Sequence, residues 1–278
     1  MTLDEHTKAL RDSGRKALVA FLTAGYPDER TFVEMVKAAS RAGCDVIEIG
    51  IPFSDPIADG PIIQESSTKA LEQGITLKRC IELAKELSSE ITPPLVFMSY
   101  INPILRMGID RFAKDADSAG VRGVIVADVP LEESEEVRSV VSEFGLTYID
   151  LLAPTSSDDR IDTIASGANG FIYLVSVTGV TGANSPEASD VTRFVERVRE
   201  KTELPLYVGF GIASASQARS ACESADGVII GSALIKMARS VEASEAPEKI
   251  ETFLRQVRGA IDEVADSATP VENPERTE

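Results

Sequence analysis

Short runs of β-forming apolar residues alternate with amphipathic helical stretches along nearly the whole chain, and this alternation constrains the fold more than any other feature. Eight such runs stand at 17–22, 44–49, 94–98, 122–126, 146–150, 170–175, 205–208 and 226–230. They are nearly continuous in apolar residues, the pattern of parallel strands covered on both faces. Between them, 28–42 places Phe32, Val33, Val36 and Ala39 at helical spacing behind a candidate N-cap, Asp28. The stretches 131–143, 187–200 and 246–264 read the same way. This regular β/α succession, without a break in composition, predicts one closed α/β barrel, a (β/α)8 TIM barrel, over 1–264. An open doubly wound sheet is the alternative, but TAGYP follows the first strand where a dinucleotide fold would carry GxGxxG. The polar end, 265–278, contains two Pro and is expected to be a disordered tail.

Composition excludes several functions. The 28 Lys and Arg against 45 Asp and Glu leave a formal charge of −17, which opposes non-specific binding to nucleic acid or an anionic membrane. A single His, His6, argues against His-rich zinc sites, and no metal site is expected. It argues equally against Ser-His-Asp hydrolysis. Cys44, Cys80 and Cys222 show no CxxC spacing and read as buried small apolar residues in a reducing compartment. No apolar run approaches the ~18 residues of a membrane span, and the charged N-terminus lacks an apolar signal core. A cytoplasmic location is expected.

In a parallel barrel, chemistry sits at the carboxyl ends of the strands. The second strand carries Glu48 there, followed by IGIPFSDPIADGP. A carboxylate in an apolar strand is either a structural group bonded to a neighbouring loop or a group aimed into a site. Asp55 and Asp59 follow it among three Pro, as turn formers or as a second site carboxylate. The last three strands lead into SVTGVTGANS, GFGI and GSAL. Glycines there let backbone N–H groups approach an anion, with a helix N-terminus behind GSAL, or they merely shape turns. Phe21, Tyr100, Tyr173 and Phe210 also fall at strand ends, as core or as walls for a flat aromatic ligand.

EIGIPFSDPIADGP (48–61), ADVPLEES (127–134), APT (153–155), YLVSVTGVTG (173–182), GFGI (209–212) and GSALIK (231–236) together resemble the tryptophan synthase alpha chain family. The resemblance runs in the correct order over about 1–264, and its first segment is highly specific. It implies reversible retro-aldol cleavage of indole-3-glycerol phosphate to indole and glyceraldehyde 3-phosphate, with no cofactor in this chain. By resemblance, Glu48 is the proton-transfer carboxylate, Asp59 accepts from the indole N–H and Tyr173 stands beside them. Gly182, Gly211, Gly231 and Ser232 match phosphate-binding positions, while Phe21, Tyr100 and Phe210 match the indole pocket. The family's partner is a pyridoxal-phosphate β chain in an alpha-beta-beta-alpha heterotetramer. Indole passes to that chain, and 53–60, 100–107 and 176–188 are the segments implicated. Thr181 falls in the lid, 176–188, which is expected to open at low cost. Val177 stands where some members carry a basic residue, which leaves backbone N–H groups and Ser232 to hold the phosphate.

Two other functions compete. A different phosphate-binding barrel, an isomerase or synthase of the same pathway, would show a catalytic Lys or Cys at a strand end, and no Lys stands at the end of any of these strands. A non-catalytic activating subunit would have no use for Glu48, Asp59 and Tyr173 together.

Overall fold

The computed structural model describes residues 1–175, 188–209 and 211–268. The apolar runs become β1 (Ala17–Thr23), β2 (Val46–Gly50), β3 (Leu95–Ser99), β4 (Val121–Val126), β5 (Thr147–Tyr148), β6 (Asp150–Leu152), β7 (Ile172–Val175), β8 (Leu206–Gly209) and β9 (Gly227–Ile230). The first six helices are α1 (Leu3–Asp12), α2 (Glu29–Arg41), α3 (Pro61–Glu72), α4 (Leu77–Ser88), α5 (Ile101–Met107) and α6 (Ile109–Ser118). The rest are α7 (Glu135–Glu143), α8 (Asp158–Gly167), α9 (Ala188–Arg199), α10 (Ala215–Cys222), α11 (Ser232–Arg239) and α12 (Ala246–Ala268).

Paired strands run parallel in the order β5-β4-β3-β2-β1-β9-β8-β7-β6. The two ends of that order are pieces of one strand. Ile149 separates them, and its N–H still donates to the Val124 carbonyl at 2.9 Å. The ring therefore closes through Ile149, and the (β/α)8 barrel stands. The strand expected at 146–150 is corrected: it continues to Leu152 and is interrupted at Ile149. Asp28 caps α2 as expected, its Oδ1 accepting from the Thr31 N–H at 2.9 Å. The stretch at 131–143 is a 3-10 turn, Leu131–Glu133, followed by α7. The last helix runs past 264 to Ala268; the rest of the expected tail lies outside the described residues. No helix among the described residues is long and apolar enough to cross a membrane.

Strand periodicity divides the apolar residues between two cores. Leu18, Ala20 and Leu22 of β1 face the helices, with Phe32, Met35 and Val36 of α2 in the same cluster. Ala17 and Val19 face the barrel axis with Val46, Val96, Ile125, Ile149, Phe171 and Tyr207. The three cysteines are buried and unpaired.

The amino-terminal end of the barrel is closed by α1. Leu3 is buried within the axial cluster. Thr7 Oγ1 donates to the Gly170 carbonyl at 2.9 Å, and Thr147 Oγ1 donates to Asp4 Oδ1 at 2.9 Å. The only histidine belongs here: His6 Nε2 lies 2.8 Å from the Asp45 carbonyl oxygen. Asp45, 8% exposed, accepts from Arg15 Nε at 2.8 Å, from Arg258 Nη1 at 2.9 Å and from the Leu18 N–H at 2.9 Å. That cluster ties α12 to the entrance of β1 and β2, opposite the strand ends where chemistry is expected.

Candidate active site

Residues 46, 48 and 50 alternate onto the inner face of β2, with Val46 in the axial cluster below. Register sets Glu48 between Phe21 of β1 and Val96 of β3. Glu48 is 1% exposed, and both its carboxyl oxygens lack a hydrogen-bond partner among the described residues. Burial first, and the nearby Asp59 carboxylate second, push its pKa up to about 8 from an ordinary value of 4.5.

Among the described residues, two other carboxylates are comparably buried and give the comparison for Glu48. Asp45 holds two guanidinium groups and a backbone N–H. Asp150, 5% exposed, takes a two-pronged contact from Arg138 at 2.5 and 3.1 Å. Structural carboxylates in this barrel are thus paired, as desolvated charges must be. Glu48 has no such partner among the described residues, which counts against the loop-anchor reading.

Asp59 arrives on the loop between β2 and α3. Its N–H donates to the Pro56 carbonyl at 3.0 Å, and its own carbonyl accepts from Gln64 Nε2 at 2.8 Å. Burial raises Asp59 to about 6, and a hydrogen bond from Tyr100 works against that rise. Tyr100, 3% exposed, follows β3 at the N-cap of α5. Its hydroxyl donates to Asp59 Oδ2 at 3.0 Å and accepts from the Ala58 N–H at 3.0 Å. Its ring stacks on Phe53, with centroids 5.2 Å apart. Asp55, by contrast, is exposed and takes a hydrogen bond from Ser54 Oγ at 2.6 Å, which makes it a loop residue.

Tyr173 enters from β7. The residue as a whole is half-buried, yet burial, then Glu48, then Asp59 push its hydroxyl well above the ordinary tyrosine range. It therefore stays protonated beside the carboxylates and can donate. Its ring occupies the space a side chain at Gly209 would need: a Cβ built there would lie 2.5 Å from the ring. Phe21 is fitted in the same way, because a Cβ at Gly50 would lie 2.5 Å from it and one at Gly231 3.1 Å.

The glycines expected to hold phosphate thus have separate physical reasons. Gly231 makes room for Phe21 and N-caps α11, whose first residue is Ser232. Gly211 has φ +59°, a left-handed conformation that favours glycine, and open space where a Cβ would be. Both follow strand ends at the mouth, Gly211 after β8 and Gly231 after β9. Thr181, Gly182, Phe210, Val177 and the 176–187 part of the lid lie outside the described residues. Two residues acquire a place that sequence reasoning had not given them, Phe53 under Tyr100 and Asp128, whose Oδ1 accepts the Ile101 N–H at 2.8 Å. Asp128 stands just past the end of β4, so the strand-end rule would have found it.

A parallel barrel sealed at its amino end, with two carboxylates raised toward neutrality at its carboxyl mouth, defines a (β/α)8 enzyme of the acid–base class. Among the described residues no group of three or more His, Cys, Asp or Glu could hold a metal ion. The sequence model of the tryptophan synthase alpha chain family matches residues 7–266. The chain is 46% identical over 256 residues to the tryptophan synthase alpha chain of Polynucleobacter asymbioticus, covering 92% of this chain and 97% of that one. It is likewise 46% identical over 255 residues to that of Synechococcus elongatus, covering 91% and 94%. The crystal structure of tryptophan synthase subunit alpha from Legionella pneumophila superposes with a TM-score of 0.87 at 34% identity, over 95% of this chain and 99% of that one. The chain belongs to the tryptophan synthase alpha chain family. It is a carbon–carbon lyase of tryptophan biosynthesis that cleaves indole-3-glycerol phosphate, and the family implies a β-chain partner.

Proposed function

We propose that one carboxyl, Glu48, makes both proton transfers of the cleavage while Asp59 holds the ring nitrogen. The observation that carries this reading is the buried Glu48 carboxyl, without a partner among the described residues. With a pKa near 8 it is mostly protonated at neutral pH and can deliver a proton to indole C3. The ring then carries positive charge on its N–H. Asp59, near 6 and mostly ionised at pH 7, accepts that N–H and stabilises the cation. Glu48, now a carboxylate, takes the proton from the glycerol hydroxyl attached to the departing carbon. The C–O bond becomes a carbonyl, the C–C bond breaks, and its electron pair restores the indole ring. Glu48 ends protonated, as it began. The two carboxyls divide the work because their environments push their pKa values apart.

Tyr173 flanks the two carboxyls, and Phe21 and Tyr100 wall the ring; Phe210, outside the described residues, keeps the pocket role that the resemblance gives it. The phosphate sits at the N-terminus of α11, on the backbone around Gly211 and Gly231 and on the Ser232 hydroxyl, where the helix dipole favours an anion; Gly182, outside the described residues, keeps the phosphate role that the resemblance gives it. No cofactor belongs to this chain; pyridoxal phosphate belongs to the β chain, in a cytoplasmic alpha-beta-beta-alpha heterotetramer. The β-chain surface is supported by two exposed apolar side chains on the expected segments, Ile57 at 82% and Leu105 at 54% exposure. An indole-release assay on indole-3-glycerol phosphate, with and without a tryptophan synthase β chain, tests the reading. Slow release alone and faster release with the β chain is the expected result. No indole in either condition overturns it.

A further inference from the structure

We propose that Tyr100 is a positioning residue, more than a pocket wall: one hydroxyl aims the Asp59 carboxylate and clamps the loop that carries it to α5. The proposal rests on the reading of Asp59 as the group that meets the indole N–H.

The geometry leaves the Tyr100 proton one direction. A phenol has a single hydrogen, and the Ala58 N–H already points at the oxygen from 3.0 Å away, so the hydroxyl accepts there. Its own hydrogen therefore goes to Asp59 Oδ2, also at 3.0 Å. With Oδ2 engaged, Oδ1 is assigned to the incoming ring N–H. The Phe53 stack holds the other end of the same loop, so one side chain grips 53–59 at two places.

Tyr100 is itself fixed on both sides. Ser99 Oγ donates to its carbonyl at 2.9 Å, and Asp128 receives the first N–H of α5 immediately after it. Elements from β2, β3 and β4 thus meet at one residue. Leu105 is exposed on α5 and Ile57 on the clamped loop, so a partner resting on both would press on the two elements that Tyr100 joins.

A donor aimed at a carboxylate favours its ionised form. Among the described residues, the ionisable groups facing Asp59 are Glu48 from β2, Tyr173 from β7 and Tyr100, and Asp128 from beyond β4 acts on Tyr100. Of these, Tyr100 is the one placed to offset the desolvation of Asp59.

Tyr100→Phe keeps the ring on Phe53 and deletes only the hydroxyl. Two readouts test it: titration of the Asp59 carboxyl by carbon-13 NMR, assigned by loss of the signal in Asp59→Asn, and the pH profile of kcat/KM. A hydrogen bond to a charged group corresponds to about one pH unit, so both the carboxyl titration and the acid limb should rise by about that much. At pH 6 the variant should lose several-fold more kcat/KM than at pH 8. An unmoved Asp59 titration, with kcat/KM falling equally at all pH values, makes Tyr100 a wall and overturns the proposal. A shifted titration under an unmoved acid limb keeps Tyr100 as the positioning residue and removes Asp59 from the chemistry.

Discussion

Replacing Glu48 by Gln should abolish the lyase and stabilise the barrel, and the second effect should depend on pH. In the unfolded chain the carboxyl ionises near 4.5; in the barrel burial holds it protonated to about 8. Between those values the folded state binds more protons than the unfolded one, so stability falls as pH rises. The limiting slope is about 1.4 kcal/mol per pH unit. From pH 5 to pH 7 the wild type should lose about 2.5 kcal/mol relative to a variant that cannot ionise there. Below pH 4 the two should converge, apart from the difference between a buried acid and a buried amide. Urea unfolding of both proteins at pH 5, 6 and 7 is the assay. With a slope near the upper end of ~1–3 kcal/mol per M, the gap between midpoints should widen by about 1 M across that range. Activity should fall by about 10²–10⁴-fold at every pH, since an amide cannot cycle a proton. A gap that stays constant from pH 5 to 7 would mean that Glu48 titrates normally, and the single-carboxyl mechanism would fall with it.

Three further outcomes follow from the same geometry. The pH profile of kcat/KM should be bell-shaped, with limbs near 6 for ionisation of Asp59 and near 8 for loss of the Glu48 proton; in Asp59→Asn the acid limb should vanish along with most of the activity. Gly50→Ala should place a Cβ 2.5 Å from Phe21, whose ring is also confined by Gly231; overpacking of this kind costs ~1–3 kcal/mol in thermal unfolding. Its KM for indole-3-glycerol phosphate should rise as Phe21 is driven into the pocket. Arg258→Ala should cost about 3 kcal/mol in urea unfolding by stripping one partner from buried Asp45, while kcat at the far end of the barrel stays unchanged; an equal loss of kcat would show that the two ends are coupled.

What could be read in the sequence follows from which forces are local. Parallel strands covered on both faces must be apolar throughout, so their positions are written in runs of neighbours. Glu48 stands out for the same reason, as a charge inside such a run. The interruption at Ile149 leaves no comparable mark, because a broken strand and an intact one share the same composition. The N-terminal helix reads as solvated because Asp4, Glu5, Lys8, Arg11 and Asp12 outnumber Leu3, Ala9 and Leu10, yet Leu3 plugs the barrel axis from it. Tyr100 was legible as a wall and not as a clamp, since its partner is 41 residues away in the chain. Gly231 shows the converse difficulty. A glycine before a helix suggests an approaching anion, and here it also makes room for a ring on the neighbouring strand. Residue type alone does not separate the two causes.

Glu48 raises a question of selection: why Asp45 and Asp150 have guanidinium partners and this carboxyl has none among the described residues. A cation beside Glu48 would lower its pKa toward or below 4.5 and hold the carboxylate permanently. At that value only about one molecule in 300 would carry the proton at pH 7 that indole C3 requires. At a pKa near 8 about nine in ten carry it. The ratio of those populations corresponds to about 3 kcal/mol, the same free energy by which the buried carboxyl weakens the fold at pH 7. The two quantities are equal because they are one linkage seen from two sides: the environment that resists ionisation of Glu48 keeps the proton available and destabilises the folded chain relative to the unfolded one. A substitution near the site that stabilised the barrel by pairing Glu48 should therefore lose activity in proportion. Stabilisation placed at the amino end, around Asp45 and Arg258, carries no such penalty, because nothing there sets the proton affinity of the mouth.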